Sequence, residues 1–189
     1  MLMNRRTILF AVAATAAAAP TFAQTQPAPA APASANSSSG PSNGFGQPEE
    51  AHANQTAMFG GASLQMADIA LQRAHHPRVK EFARFEHDEQ TTVAAVLKSL
   101  DPNLQPPQPP QDIAGIIDRL KRMSPGPAFD REFVSAQIQG HEKLRGVQED
   151  YLKNGKDMPT IDTTKLVLGM INEHLTLLSD LRGDRMAAL

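Results

Sequence analysis

The sequence predicts an all-α protein, an antiparallel four-helix bundle with one extra short helix. Three observations carry that expectation. The 189 residues hold one Tyr and no Trp, and strand-type runs of Val, Ile, Tyr and Thr are missing. Apolar residues recur three and four apart through four long segments and one short one, the spacing of a single helix face. Clusters of Pro and Gly punctuate those segments. The length suits one domain, and no internal repeat breaks it up.

The first 23 residues have the form of an export signal. Arg5 and Arg6 precede an apolar run of twelve residues, Ile8 to Ala19, and Thr21-Phe22-Ala23 places small residues where a signal peptidase inspects them. The run is shorter than the roughly 20 residues that span a bilayer, so no membrane helix is expected once it is removed. Either the general secretion or the twin-arginine route fits. Cleavage takes the formal charge from −2 to −4, because the segment holds two basic and no acidic residues. The expected location is the periplasm or cell envelope. No basic patch interleaved with aromatics is present, so nucleic acid is not an expected partner. The chain has no Cys, which excludes disulfides, thiolate zinc sites and Fe–S clusters.

Residues 24–47 are mostly Pro, Ala, Ser, Gln and Gly, too polar and flexible to offset their ordering entropy, and read as a linker. The bundle domain is expected over residues 48–183. A first helix is predicted from Glu49 to His75, with the stripe Phe59, Ala62, Met66 and Ile69. Pro77 ends it. A second runs from Pro77 to Leu100, with His76 placed to cap it. Five prolines between Asp101 and Pro110 impose an extended loop. The short helix spans Asp112 to Met123, with Asp112 as its cap. Ser124-Pro125-Gly126-Pro127 breaks the chain before a helix from Ala128 to Asn154, ended by Gly155. The last runs from Thr160 to Arg182, carries Leu166, Val167, Met170, Ile171, Leu177, Leu178 and Leu181, and ends at Gly183.

Polar residues interrupt these stripes near mid-helix. Glu86, Glu89 and Gln90 do so on the second helix, Gln137 and His141 on the fourth, and His174 on the fifth. On the first helix Gln65 and Asp68 sit beside the stripe. In an antiparallel bundle the midpoints share one layer, so a polar layer is expected across an apolar core. Buried carboxylates and imidazoles must be paired, hydrogen-bonded or metal-bound. Two readings follow. Glu86, Glu89, His141 and His174 hold Fe, Mn or Zn, backed by Gln137 and Gln90. Or the same groups form a metal-free ion-pair and hydrogen-bond layer that fixes helix register. The paired Glu-x-x-His segments of a full di-iron site are absent.

Other residues have plainer expectations. His52 and His87 are expected to face solvent. Gly60-Gly61 is expected to serve close helix packing. Met58, Met66, Met123 and Met170 fill the core. Ser63 and Ser135 lack a nucleophile context, and no phosphate-binding loop can be read, so the sequence assigns no catalytic residue.

Three stretches, LQRAHHPRVKEFA (Leu71–Ala83), FDREFVSAQIQGH (Phe129–His141) and Glu173-His174-Leu175, resemble the ferritin-like exported bacterial proteins grouped as domain-of-unknown-function family 4142. The likeness covers about Ala57 to Leu181. It implies a ferritin-like bundle and export, and supplies no activity. Where the family usually carries Asp-His after the second helix's Phe-Ala, this chain has Glu89 and Gln90. Where the family's first helix brings a Glu, it has Ser63 or Gln65. The functional expectations are a metal-binding envelope bundle or, alternatively, a non-enzymatic envelope interaction module.

Overall fold

The computed structural model describes residues 46–187. The expected signal, and the linker up to residue 45, lie outside the described residues. Five helices follow in order: α1 (Gln47–Arg73), α2 (Pro77–Leu100), α3 (Gln111–Arg122), α4 (Pro127–Asn154) and α5 (Met158–Ala187). Among the described residues there is no strand.

Side-chain bonds between helices fix the topology. Asp130, near the start of α4, bonds to the end of α1, while Gln148, late in α4, meets His52, early in α1. Thus α4 runs against α1, as α2 does. On α5, His174 meets His141 of α4 and Glu86 of α2. Neighbours in the ring are α1, α2, α5 and α4. Because α2 and α4 run the same way, one long crossover must join them. The proline loop and α3 supply it, and α3 lies against α1 and α4. One long crossover is the connectivity of ferritin-like bundles.

The helix ends follow from local chemistry. Pro stands in the first turn of α1, α2 and α4, where a missing N–H costs nothing. The His76 ring accepts from the Arg78 amide at 3.3 Å, as expected of a cap. Buried Asp130 accepts from the amides of His75 (3.0 Å) and His76 (2.9 Å), tying the α1–α2 corner to α4. Gly126 has φ +147°, a backbone that disfavours any side chain, and it turns the chain between α3 and α4.

Two helix-end expectations are corrected. Asp112 is not the cap of α3: that position is Pro110, and the Asp112 carboxylate instead takes a bond from Lys143 at 3.0 Å. Gly155 is the C-terminal cap of α4, as expected, and with φ −64° the glycine is needed there for space, since the Tyr151 ring packs where a Cβ would lie. Gly183 does not end α5, which continues to Ala187; one helical Gly costs only about 1 kcal/mol relative to Ala.

The apolar core is split. One cluster gathers Met66, Phe82, Ile117, Phe129, Phe133 and Leu178, and the other Ala53, Val93, Leu97, Leu144, Val167 and Ile171. Between them the inward positions of four helices are polar, and all are buried: Ser63, Glu86, Gln137, His141 and His174. Two stripes needed adjusting. Leu166 is 73% exposed, one residue off the buried Val167–Ile171 face. On α1 the inner seam is Thr56, Gly60, Ser63, Ala67 and Ala70, while Phe59 and Ile69 flank it half-buried.

Candidate metal centre at the bundle midpoint

Each of the four long helices contributes at least one side chain. Glu86 of α2, His141 of α4 and His174 of α5 are 0%, 2% and 4% exposed. His141 Nε2 lies 3.1 Å from His174 Nδ1 and 3.3 Å from Glu86 Oε2, and His174 Nδ1 lies 2.9 Å from the same oxygen. Three potential ligand atoms therefore form a small triangle. A point roughly 2 Å from all three exists, which is the reach of zinc–nitrogen and zinc–oxygen bonds.

The outer contacts decide where the protons sit. His141 Nδ1 is 2.8 Å from the Gln137 carbonyl oxygen, so its N–H donates there and its Nε2 lone pair faces the triangle. The Glu89 carboxylate, with Oε2 at 2.8 Å, draws the other N–H to His174 Nε2, leaving the Nδ1 lone pair inward. Glu86 Oε1 takes the Ser63 hydroxyl proton at 2.5 Å. Ser63 Oγ is also 2.6 Å from Gln137 Oε1, and one hydroxyl proton cannot serve both; turning the Gln137 amide over lets it donate to Ser63. Glu86 Oε2 has no aligned hydrogen-bond partner despite its two close nitrogens. With those tautomers three lone pairs converge, and either a proton held between the two rings, 3.1 Å apart, or a metal ion would satisfy them.

The electrostatics describe the proton-bearing form of the layer. Burial pushes the Glu86 carboxyl up, but the positive charge of a protonated His141, with the close His174 ring and the Ser63 hydroxyl, outweighs it and holds it well below the usual carboxylate range. Burial pulls the His174 ring down, yet the bond and charge of Glu86, with Glu89, hold it above its ordinary value. Glu89 is pushed up, first by burial and then by Glu86 and Glu173, against the pull of His174. The Phe82 ring packs edge-on to His174, with centroids 5.1 Å apart, and 6.3 Å from His141.

The sequence-derived set divides here. Glu86, His141 and His174 meet, and they are the one group of three metal-ligating side chains that converges among the described residues. Glu89 touches His174 from outside. Gln137 backs His141 through its carbonyl, and Gln90 lies beside Gly60 of α1. Gln65 and Asp68 are exposed, and Asp68 pairs with His87 at 3.5 Å. His87 is half-buried there.

Of the two positions where the resemblance puts a Glu on the first helix, Ser63 is the one that enters the layer and Gln65 is exposed. His52 is a correction: it is buried in a second polar layer nearer the bundle end. Its Nε2–H donates to Gln148 Oε1 at 2.9 Å, Gln148 Nε2 donates to Thr56 Oγ1 at 2.9 Å, and the ring stacks on Tyr151 at 4.2 Å. The Tyr151 hydroxyl donates to Glu49 at 2.9 Å.

The fold and this layer define a class: a ferritin-like helical bundle with a buried pair of imidazoles and one carboxylate at its midpoint. The chain belongs to the family described as Domain of unknown function (DUF4142), whose model matches residues 14–181. Neither the curated proteins nor the solved structures contain a significant match.

Proposed function

We propose that this protein is an exported envelope bundle that binds one divalent transition-metal ion, Fe, Mn or Zn, through Glu86, His141 and His174. The observation that carries this reading is the convergence of two imidazole nitrogens and a carboxylate oxygen, with an oxygen acceptor close to the other nitrogen of each ring. Ligating histidines have that arrangement, because the outer acceptor fixes the tautomer and raises the ring's basicity. Two nitrogens and one carboxylate oxygen suit these metals. A bound ion would supply Lewis acidity or, as Fe or Mn, a redox couple. Ser63 would hold Glu86 Oε1 by its hydroxyl, leaving Oε2 for the ion. Export is supported by the Arg5-Arg6 and Ile8–Ala19 pattern ahead of Ala23.

The interaction-module reading has less support. Phe85 sits with Leu177 and Leu181, whereas Met158 and Leu166 lie about two turns apart elsewhere on α5. The test is elemental analysis of protein purified without chelator, beside Glu86→Gln and His141→Ala. About one ion per chain, lost in both variants while helicity by circular dichroism is kept, is the expected result. A metal-free wild type that also fails to take up added Zn, Mn or Fe would make the layer a proton-sharing structural one.

A further inference from the structure

The proposed ion is sealed in, so it needs a way through the bundle wall. Of the side chains in the layer, only Glu89 reaches solvent: its side chain is 34% exposed, against 0% for Glu86, 2% for His141 and 5% for His174. Its two ends differ. Oε2 is buried, 2.8 Å from His174 Nε2 and without an aligned hydrogen bond, while the rest of the side chain is exposed on the α2–α5 seam. The charges acting on it besides the two layer histidines are Glu86 and exposed Glu173, both carboxylates. Positive charge is favoured at that spot.

The other walls are closed by different chemistry. Phe82 covers one side of both imidazoles and has its outer side in a small surface pocket with Phe85, Leu177 and Leu181. Arg78 and Glu81 also line that pocket, but Phe82 itself is 3% exposed and packs against both imidazoles, so this side offers no polar side chain between water and the layer. Toward α1 and α4, Ser63 and Gln137 are 4% and 0% exposed.

Resting on the metal reading above, we propose that the α2–α5 seam at Glu89 is the port of the centre, where this carboxylate takes a divalent cation from water and passes it to His174 and Glu86. Glu89 is one side chain from bulk solvent on one side and one contact from a ligand on the other. Fixed negative charge at the mouth of a low-dielectric opening raises local cation concentration and speeds capture. Its effect belongs to the rate of loading more than to the final occupancy.

The experiment is stopped-flow loading of the metal-free full chain with Zn²⁺ against a fluorescent zinc indicator, at low and high salt. The variants are Glu89→Gln, Glu173→Gln, Phe82→Leu and Glu86→Gln. Glu89→Gln keeps an oxygen acceptor for the His174 N–H, so the ring stays oriented. The expected result is about one zinc per chain in both wild type and Glu89→Gln, with loading slowed roughly tenfold in the variant and the gap narrowing as salt rises. Glu173→Gln slows loading less, and Phe82→Leu leaves it unchanged. Wild-type loading rates in Glu89→Gln, or faster loading in Phe82→Leu alone, would overturn the port. Wild type taking up no zinc would overturn the centre itself, and Glu86→Gln shows which failure has occurred, because it removes binding while leaving the port intact.

Discussion

Two polar layers cross this bundle, and they solve the same problem differently. At the bundle end, donors meet acceptors: His52 gives its Nε2–H to Gln148, Gln148 gives to Thr56, Tyr151 gives to Glu49, and Thr164 gives to the Thr160 carbonyl. That layer is self-sufficient apart from His52 Nδ1. At the midpoint, His141 Nε2, His174 Nδ1 and Glu86 Oε2 lie 2.9–3.3 Å from one another, and Glu86 Oε2 has no aligned donor. A buried layer that closes on itself holds helices in register. A buried layer that a cation would complete is what the proposed metal site rests on. Burial alone does not distinguish them; the direction of the N–H groups does.

The sharpest way to break the comparison is to add metal. If only the midpoint layer needs a cation, Zn²⁺ at about 100 times its dissociation constant stabilises wild type by about 2.7 kcal/mol. For a domain of this size that raises Tm by roughly 10 °C. Glu86→Gln should show almost none of this, whereas a variant of the end layer should respond as wild type does. Differential scanning calorimetry with and without zinc checks it. Equal responses in wild type and Glu86→Gln would mean that zinc stabilises the fold from elsewhere.

The end layer should behave as a purely structural device. Gln148→Leu keeps the volume but removes the nearest acceptor of the His52 N–H and the amide donor to Thr56, leaving His52 only its longer contacts to Thr56 and Thr164 at 3.3 and 3.4 Å. Unsatisfied buried groups cost about 1–3 kcal/mol, so a loss of about 2 kcal/mol in urea unfolding is expected, with zinc stoichiometry unchanged. Loss of zinc in this variant would mean that the two layers are one coupled network.

Much of this was legible in the sequence. The four long helices and the proline crossover came from spacing and Pro positions, and the polar midpoint came from Glu86, Gln137, His141 and His174 breaking apolar stripes. What was not legible is rotation. On α1 the large residues Phe59 and Ile69 drew the stripe toward themselves. Yet four long helices meet over small residues, and Thr56, Gly60, Ser63, Ala67 and Ala70 face inward. The expected stripe holds for Ala62 and Met66, both buried, but centring it between Phe59 and Ile69 left Ser63 out of the layer and set exposed Gln65 and Asp68 beside it. His52 was misplaced for the same reason, since its partners Gln148 and Thr164 lie 96 and 112 residues away. Distances of that kind come from tertiary packing, which local spacing does not encode.

The two layers also differ in how acid should act. Burial lowers the His52 pKa, opposed by the Gln148 bond and the charge of Glu49, so the folded protein keeps this ring neutral. Its titratable neighbours are Glu49 on α1 and Tyr151 on α4, the latter pushed up to about 12 by burial and Glu49 and so uncharged throughout. Below the unfolded pKa of about 6.5, the unfolded chain takes up a proton that the folded chain refuses. Stability should therefore fall as pH drops from about 6.5 toward the folded pKa. Tm against pH in chelator, for wild type and His52→Gln, should show a flatter acid limb in the variant. Parallel limbs would mean that His52 does not set acid sensitivity.

The smallest expected effect tests the rotation of α5, on which the midpoint layer depends. His174 reaches Glu86 only if Val167, Ile171, Leu178 and Leu181 share its face, and all four are buried. Leu166 sits next to Val167 in sequence, about 100° around the helix from it. It is 73% exposed, so Leu166→Gln removes almost no buried apolar area. The change should stay within about 0.5 kcal/mol by urea unfolding. Leu178, fully buried, should cost about 2–5 kcal/mol when cut to Ala. Comparable losses at both positions would place Leu166 against the core or a second molecule. In the first case α5 would be turned and His174 directed away from Glu86, so this pair of leucines tests the orientation of the site without touching it.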